Sequence, residues 1–176
     1  LSDSMGRTLT QRVNHNTNSE AFLGGDELRE LQSRKFSAML REIDRLLADE
    51  TCNALKLASA AAFRHEGPVF MRDGNGKGWG RGTARRIESD EPVLAPAIEG
   101  KPFSLADQGG DGVDFPGGLA HPPVLAVPAV NPVRCFAVSL YGPHESGTDL
   151  DANERAMLAR LGADAAAMYA ELENGT

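Results

Sequence analysis

Three observations predict an α+β domain. Two apolar runs, residues 124–130 and 133–141, are separated by an Asn131-Pro132 step, the pattern of two antiparallel strands joined by a short turn. Residues 26–49 form a long amphipathic stretch: Leu28, Leu31, Phe36, Met39, Leu40, Ile43, Leu46 and Leu47 recur at helical spacing with charges between them. A second such stretch opens at Asp151 and closes the chain.

Bulk composition narrows the class. A chain of 176 residues with 41% hydrophobic and 24% charged residues suits one globular domain plus a helical arm. We place an N-terminal arm or linker at residues 1–36 and the domain at 37–173. Lys and Arg number 18 against 25 Asp and Glu, a net charge of −7, which argues against nucleic acid as a partner. Lys77, Arg81, Arg85 and Arg86 form a local basic exception, read as a solvated loop. Cys52 and Cys135 make neither a disulfide framework nor a zinc spacing, and Cys135 reads as a small hydrophobe in a strand. These features suit a reduced, cytoplasmic compartment. No run of residues has the length and apolarity of a membrane span. Because the chain opens on Leu1 rather than Met, we expect a fragment of something longer, including the soluble part of a membrane-anchored protein.

The elements follow in order. Residues 7–13 read as a short helix and 14–25 as loop. Gly25 or Asp26 starts the long helix, with acids in its first turn. Residues 54–63, ALKLASAAAF, are alanine-rich and favour helix by propensity, yet we place a strand at 58–64, a turn at His65-Glu66-Gly67 and a second strand at 68–72. DGNGKGWGRG then carries glycine at 74, 76, 78, 80 and 82 without a Walker A or GxGxxG pattern; a hairpin turn with a glycine-softened strand explains it. Asp90 reads as the cap of a short helix to Ile98, ended by Gly100, and residues 102–105 as a short strand. Residues 106–120, rich in Gly and Asp, form a long loop of the kind that is often functional. In the last helix Asp151 and Glu154 have capping-box spacing, and Leu158, Leu161, Ala165, Met168 and Leu172 share one face.

Candidates for chemistry are few. Gly24-Gly25-Asp26-Glu27-Leu28 is similar to the GGDEF signature of diguanylate cyclases, but a long helix follows it at once, so it reads as a helix start. The histidines (His15, His65, His121, His144) include no pair at the spacing of a helical zinc site. Ser139, His144 and Asp149 lack a nucleophile-elbow pattern. An enzyme therefore ranks last among the readings.

The stretches HPPVLAVPAV, VRCFAVSLYGPHESG and DLDANERAMLARLGADAAAMYAELE together resemble the closing strand–strand–helix unit of a GAF domain. The resemblance implies a central antiparallel sheet of five or six strands with the N- and C-terminal helices on one face and a pocket on the other. It also implies a sensory or regulatory module that binds a small molecule, or none and dimerises. The Asn-Lys-Phe-Asp-Glu signature of cyclic-nucleotide GAF domains is missing, and residues 106–121 hold no cysteine for a bilin. His121 before Pro122-Pro123, with Tyr141 late in the next strand, resembles the iron-ligating histidine and distal tyrosine of haem-binding relatives. A haem sensor using His121 is accordingly the alternative.

The function expected is a non-catalytic sensory domain, part of a signal-transduction protein, that signals through its terminal helices. Its ligand pocket is expected among Phe70, Trp79, Phe103, Phe115, His121, Phe136 and Tyr141, since aromatics are only 6% of the chain and most fall near where this family opens a cavity. The cofactor is left unknown, with haem as the candidate. A homodimer through the terminal helices is expected because their apolar stripes exceed what one sheet face needs.

Overall fold

A computed structural model of the chain describes residues 24–79, 85–100, 102–104 and 119–175. The short helix expected at 7–13 lies outside these residues. The chain divides into two compact units, Leu1–Ala38 and Met39–Thr176.

Helix α1 spans Gly25–Arg45. Its first turn is anchored by the Gly24 carbonyl, which accepts from the Glu27 and Leu28 N–H groups, so the GGDEL stretch is indeed a helix start. The helix does not stop at residue 49 as expected. A π-helical turn, Leu46–Glu50, leads straight into α2, Thr51–Leu55, with helical backbone at both joints. Lys56 then takes a left-handed conformation, φ 56°, and ends it. The alanine-rich segment thus resolves both ways: its first residues finish a helix and the rest enter a strand.

Strands β1 (Ala60–Glu66), β2 (Val69–Met71), β3 (Arg86–Glu88), β4 (Phe103–Ser104), β5 (Leu125–Val130) and β6 (Cys135–Tyr141) form one antiparallel sheet in the order β3-β2-β1-β6-β5-β4. The β1–β2 turn is Gly67-Pro68, not His65-Glu66-Gly67: Glu66 pairs with Val69, and Gly67 has φ +62°, which only glycine adopts cheaply at that position. Strand β3 was not expected from the sequence. Asp90 does not cap the next helix; Glu91 precedes a 3-10 turn, Pro92–Leu94, without a side-chain cap, and α3 is the single turn Ala95–Ile98.

The pairing of β5 with β6 is antiparallel, as the two apolar runs predicted. The loop is Pro132-Val133 rather than Asn131-Pro132: the Asn131 N–H donates to the Arg134 carbonyl at 3.0 Å, and the Asn131 carboxamide accepts from the Val133 and Arg134 N–H groups. Helix α4, Ala152–Asn174, begins with the expected capping box: Asp151 accepts from the Glu154 N–H at 2.8 Å, and Glu154 accepts from the Asp151 N–H at 3.0 Å.

From Met39 onward the first helix lies beside α4 on one face of the sheet, where Ile43, Leu47, Ala48, Ala165, Ala166 and Tyr169 pack on Ala62, Ala129, Phe136 and Ala137. The opposite face buries Phe63, Phe70, Trp79, Ile87, Val138 and Leu140 beneath Leu94 and Ala97. Burying large aliphatic and aromatic side chains on both faces stabilises each by about 1.5–3 kcal/mol relative to exposure.

Candidate functional site

The expected pocket face is built around Trp79. Phe63 meets the indole edge-on at 5.4 Å, and the Arg72 guanidinium lies 5.6 Å from its ring centre, a cation–π distance. Phe70 stacks on His65 at 4.6 Å. The glycine-rich segment reaches this face in an unexpected way. Asn75 is buried, and its carboxamide accepts from the Ala62 N–H at 2.8 Å and donates to the Ala62 carbonyl at 3.0 Å. The Asn75 side chain therefore stands in for a strand's peptide where β2 has diverged from β1. Lys77 then bridges Ala60 in both directions at 2.9 Å. At Gly78, φ +76°, an added Cβ would sit 2.5 Å from the Ala58 carbonyl, so this close approach needs glycine. An asparagine flanked by glycines was the signal for this device, and the hairpin reading missed it.

Among the described residues, the side chains expected to line the pocket fall on two faces of the sheet. Phe70 and Trp79 are buried together on the α3 face. Phe136 and Tyr141 lie on the helix face instead: Phe136 stacks on Tyr169 at 5.9 Å, and the Tyr141 hydroxyl donates to the Leu47 carbonyl at 2.8 Å. A register shift explains Phe136. Ala129 pairs with Ala137 and Val130 with Cys135, which leaves Phe136 as the extra residue of a bulge and turns it onto the same face as Ala137. Tyr141 reaches that face by ordinary alternation from Ala137. His121 is exposed, and its carbonyl accepts from the buried Ser59 hydroxyl at 2.7 Å. Only the backbone of Phe103 is described, in β4, and Phe115 lies outside the described residues.

His121 and Tyr141 accordingly do not flank one haem: the tyrosine is fully buried beneath the terminal helices with its hydroxyl already engaged. Among the described residues no cluster of three His, Cys, Asp or Glu could hold a metal, and no helix is long and apolar enough to cross a membrane. Both thiols are buried and free; burial pushes Cys135 up to about 11 and raises Cys52, so neither is a reactive thiolate. Of the basic patch, Arg86 pairs with Glu88 at 3.0 Å and Lys77 donates to Asn53, while Arg81 lies outside the described residues.

The helix face holds a groove built from the apolar stripes and a buried acid that the sequence reading overlooked. A groove of about 450 Å³ runs between the first helix and α4, lined by Met39, Ile43, Leu46, Met168 and Leu172 with Glu42 and Glu171. Met39 and Met168 remain 42% and 43% exposed there. Beneath it lies Asp44, fully buried, which accepts a hydrogen bond from the Tyr169 hydroxyl of α4 and stands 3.4 Å from the Arg64 guanidinium of β1. Arg64 also faces Asp73 at 3.4 Å and Glu66 at 3.5 Å. Burial pushes the Asp44 carboxyl up to about 6, against the opposing pull of Tyr169 and Arg64. One carboxyl thus ties both terminal helices to the centre of the sheet.

No family model and no curated protein matches the sequence. Solved structures do match in shape. The GAF domain of a phosphoenolpyruvate-protein phosphotransferase from Acinetobacter superposes with a TM-score of 0.61 at 14% identity, over 82% of this chain and 95% of that one. A GAF domain/HD domain protein from Geobacter sulfurreducens gives 0.61 at 16% identity, over 79% and 98%. The second GAF domain of DevS from Mycobacterium smegmatis gives 0.57 at 14%, over 77% and 96%.

The chain has the GAF fold. The sheet, the flanking terminal helices and the α+β class are those the resemblance implied. At these identities the likeness carries the fold and assigns no residue a role. Within this GAF fold the two sheet faces are chemically unlike. One is filled by aromatic and aliphatic side chains around Trp79; the other carries the helix pair, the open methionine-lined groove and the buried acid.

Proposed function

We propose that this GAF domain is a non-catalytic regulatory module in the cytoplasmic part of a signalling protein, read out through its terminal helices, which pair with those of a second copy. The groove between them carries the reading. Its floor of Ile43 and Leu46 and its half-exposed walls of Met39 and Met168 leave apolar surface that a small sheet does not cover. A two-fold pairing would place the same residues of each copy together and bury them without a second kind of surface. A signal on either sheet face would then act by changing the relative stability of two helix arrangements.

A small ligand on the α3 face remains part of the proposal. A specific observation favours the ligand-free version, a dimerisation module: Phe63, Phe70, Trp79, Leu94 and Val138 already fill the described part of that face. Light scattering on the wild-type chain and on a Met39→Glu/Met168→Glu double variant tests the dimer. We expect a dimer for the first and a folded monomer, by circular dichroism, for the second. A wild-type monomer at high concentration overturns the proposal.

A further inference from the structure

His144 sits on the loop between β6 and α4, with its ring between two helix ends. Its Nδ1 lies 2.9 Å from the Leu55 carbonyl, the last residue of α2. Its Nε2 lies 3.0 Å from Glu154 Oε1, in the first turn of α4. A carbonyl and a carboxylate can only accept. A neutral imidazole has one N–H and can satisfy one of them; the imidazolium has two and satisfies both.

From this geometry we infer that His144 is a pH-operated clasp that joins the end of the N-terminal helix to the start of the C-terminal helix when protonated and releases one of them when neutral. The inference is independent of the proposed dimer and of any ligand, because both partners lie within one chain.

The surrounding charges favour the closed form. On the α4 side His144 faces Glu154 and Asp151; on its own loop are Glu145, whose N–H donates to the Lys56 carbonyl, and Asp149, which is taken up by Arg155 at 3.0 Å. The charged residue at the α2 end is Lys56, exposed in its left-handed cap. The Glu154 hydrogen bond is the largest influence and raises the imidazole above its ordinary 6.5, opposed by partial burial and aided by the Leu55 carbonyl. The stability this adds is complete below the unfolded-chain value and is lost as pH climbs through the higher folded value. The clasp is therefore closed in mildly acidic solution and opens toward alkaline pH.

Glu154 has a second task, since its Oε1 also accepts the Asp151 N–H of the capping box. Opening the clasp frees the helix end from α2 without removing the cap. Glu154→Gln separates the two tasks: glutamine still closes a capping box, and its amide can donate to a neutral imidazole, so the ring no longer needs two protons.

The test is amide hydrogen exchange over the first turn of α4 and around Leu57, in the full chain, from about pH 6 to about pH 8.5 with correction for intrinsic exchange. In the wild type we expect protection to fall by about tenfold across this range, the order for losing one hydrogen bond to a charged partner. In Glu154→Gln we expect a flat profile. Nitrogen-15 spectra of the imidazoles should show both His144 nitrogens protonated at about pH 6. A flat wild-type profile overturns the inference, as does an unchanged fall in Glu154→Gln or a singly protonated ring at the acidic end. The spectra decide the matter even if a His144→Ala variant fails to fold.

Discussion

Asp44 follows Ile43 on the buried side of the first helix, and nothing in its neighbourhood in sequence distinguishes it from the exposed acids around it. Its burial is a property of the fold, and its energetics follow from the competition described above. The folded carboxyl, at about 6 against an ordinary 3.8, holds its proton more tightly than in the unfolded chain. Its contribution to stability is therefore complete below the unfolded value and is lost as pH rises through about 6. The gap corresponds to about 3 kcal/mol at most, at about 1.4 kcal/mol per pH unit. Asp44→Asn keeps an acceptor for Tyr169 and abolishes the charge. Denaturant unfolding should find the variant as stable as wild type near pH 4, where both are neutral, and more stable at about pH 8. A less stable variant at the alkaline end would mean that the ion pair with Arg64 outweighs desolvation. Asn75 makes the same point without charge: an exposed-looking loop residue supplies two buried hydrogen bonds to β1 because the fold brings a strand edge beside it.

At the scale of elements, periodicity located both helices and placed Ile43 and Leu47 of the first correctly in the core, but it only partly found the buried face of α4. The stripe expected on α4 was Leu158, Leu161, Ala165, Met168 and Leu172; the residues that are buried are Leu158, Gly162, Ala165, Ala166 and Tyr169. Gly162, Ala165 and Ala166 let the helix approach the sheet closely, while Met168 and Leu172 face the groove. Gly162 is the tightest point: an added Cβ would lie 2.5 Å from the Pro128 carbonyl and 3.0 Å from Val127. Glycine to alanine within a helix ordinarily stabilises by about 1 kcal/mol. Here the atom met is backbone in a central strand, which cannot swing aside, and overpacking costs about 1–3 kcal/mol. Gly162→Ala should therefore lower the melting temperature rather than raise it. A thermal scan showing an increase would indicate that α4 can slide on the sheet.

At the scale of the whole molecule, the apolar groove and the free methionines bear on association. If the terminal helices pair between copies, folding and association are linked, and the melting temperature rises with chain concentration. We expect this rise in wild type and its loss in Met168→Glu alone, since the residue lines the groove and is not part of the buried core. A melting temperature independent of concentration over about a hundredfold range would rule out coupled folding and association.

Local patterns alone determined the class of the fold, the two long helices, the capping box at Asp151 and the antiparallel pairing of β5 with β6. Each rests on a spacing or a cap whose physics is complete within a few residues. Tyr141 faces the helices by ordinary alternation, but Phe136 joins it there only because a bulge inverts the alternation that sequence distance suggests, and register is a property of two strands rather than one. The buried acid, the asparagine that imitates a strand and the histidine with two acceptors were equally beyond local reading. Their partners are Arg64 and Tyr169, Ala62, and Leu55. All but two of these contacts cross large stretches of chain, so only the packed tertiary structure decided what those polar residues do.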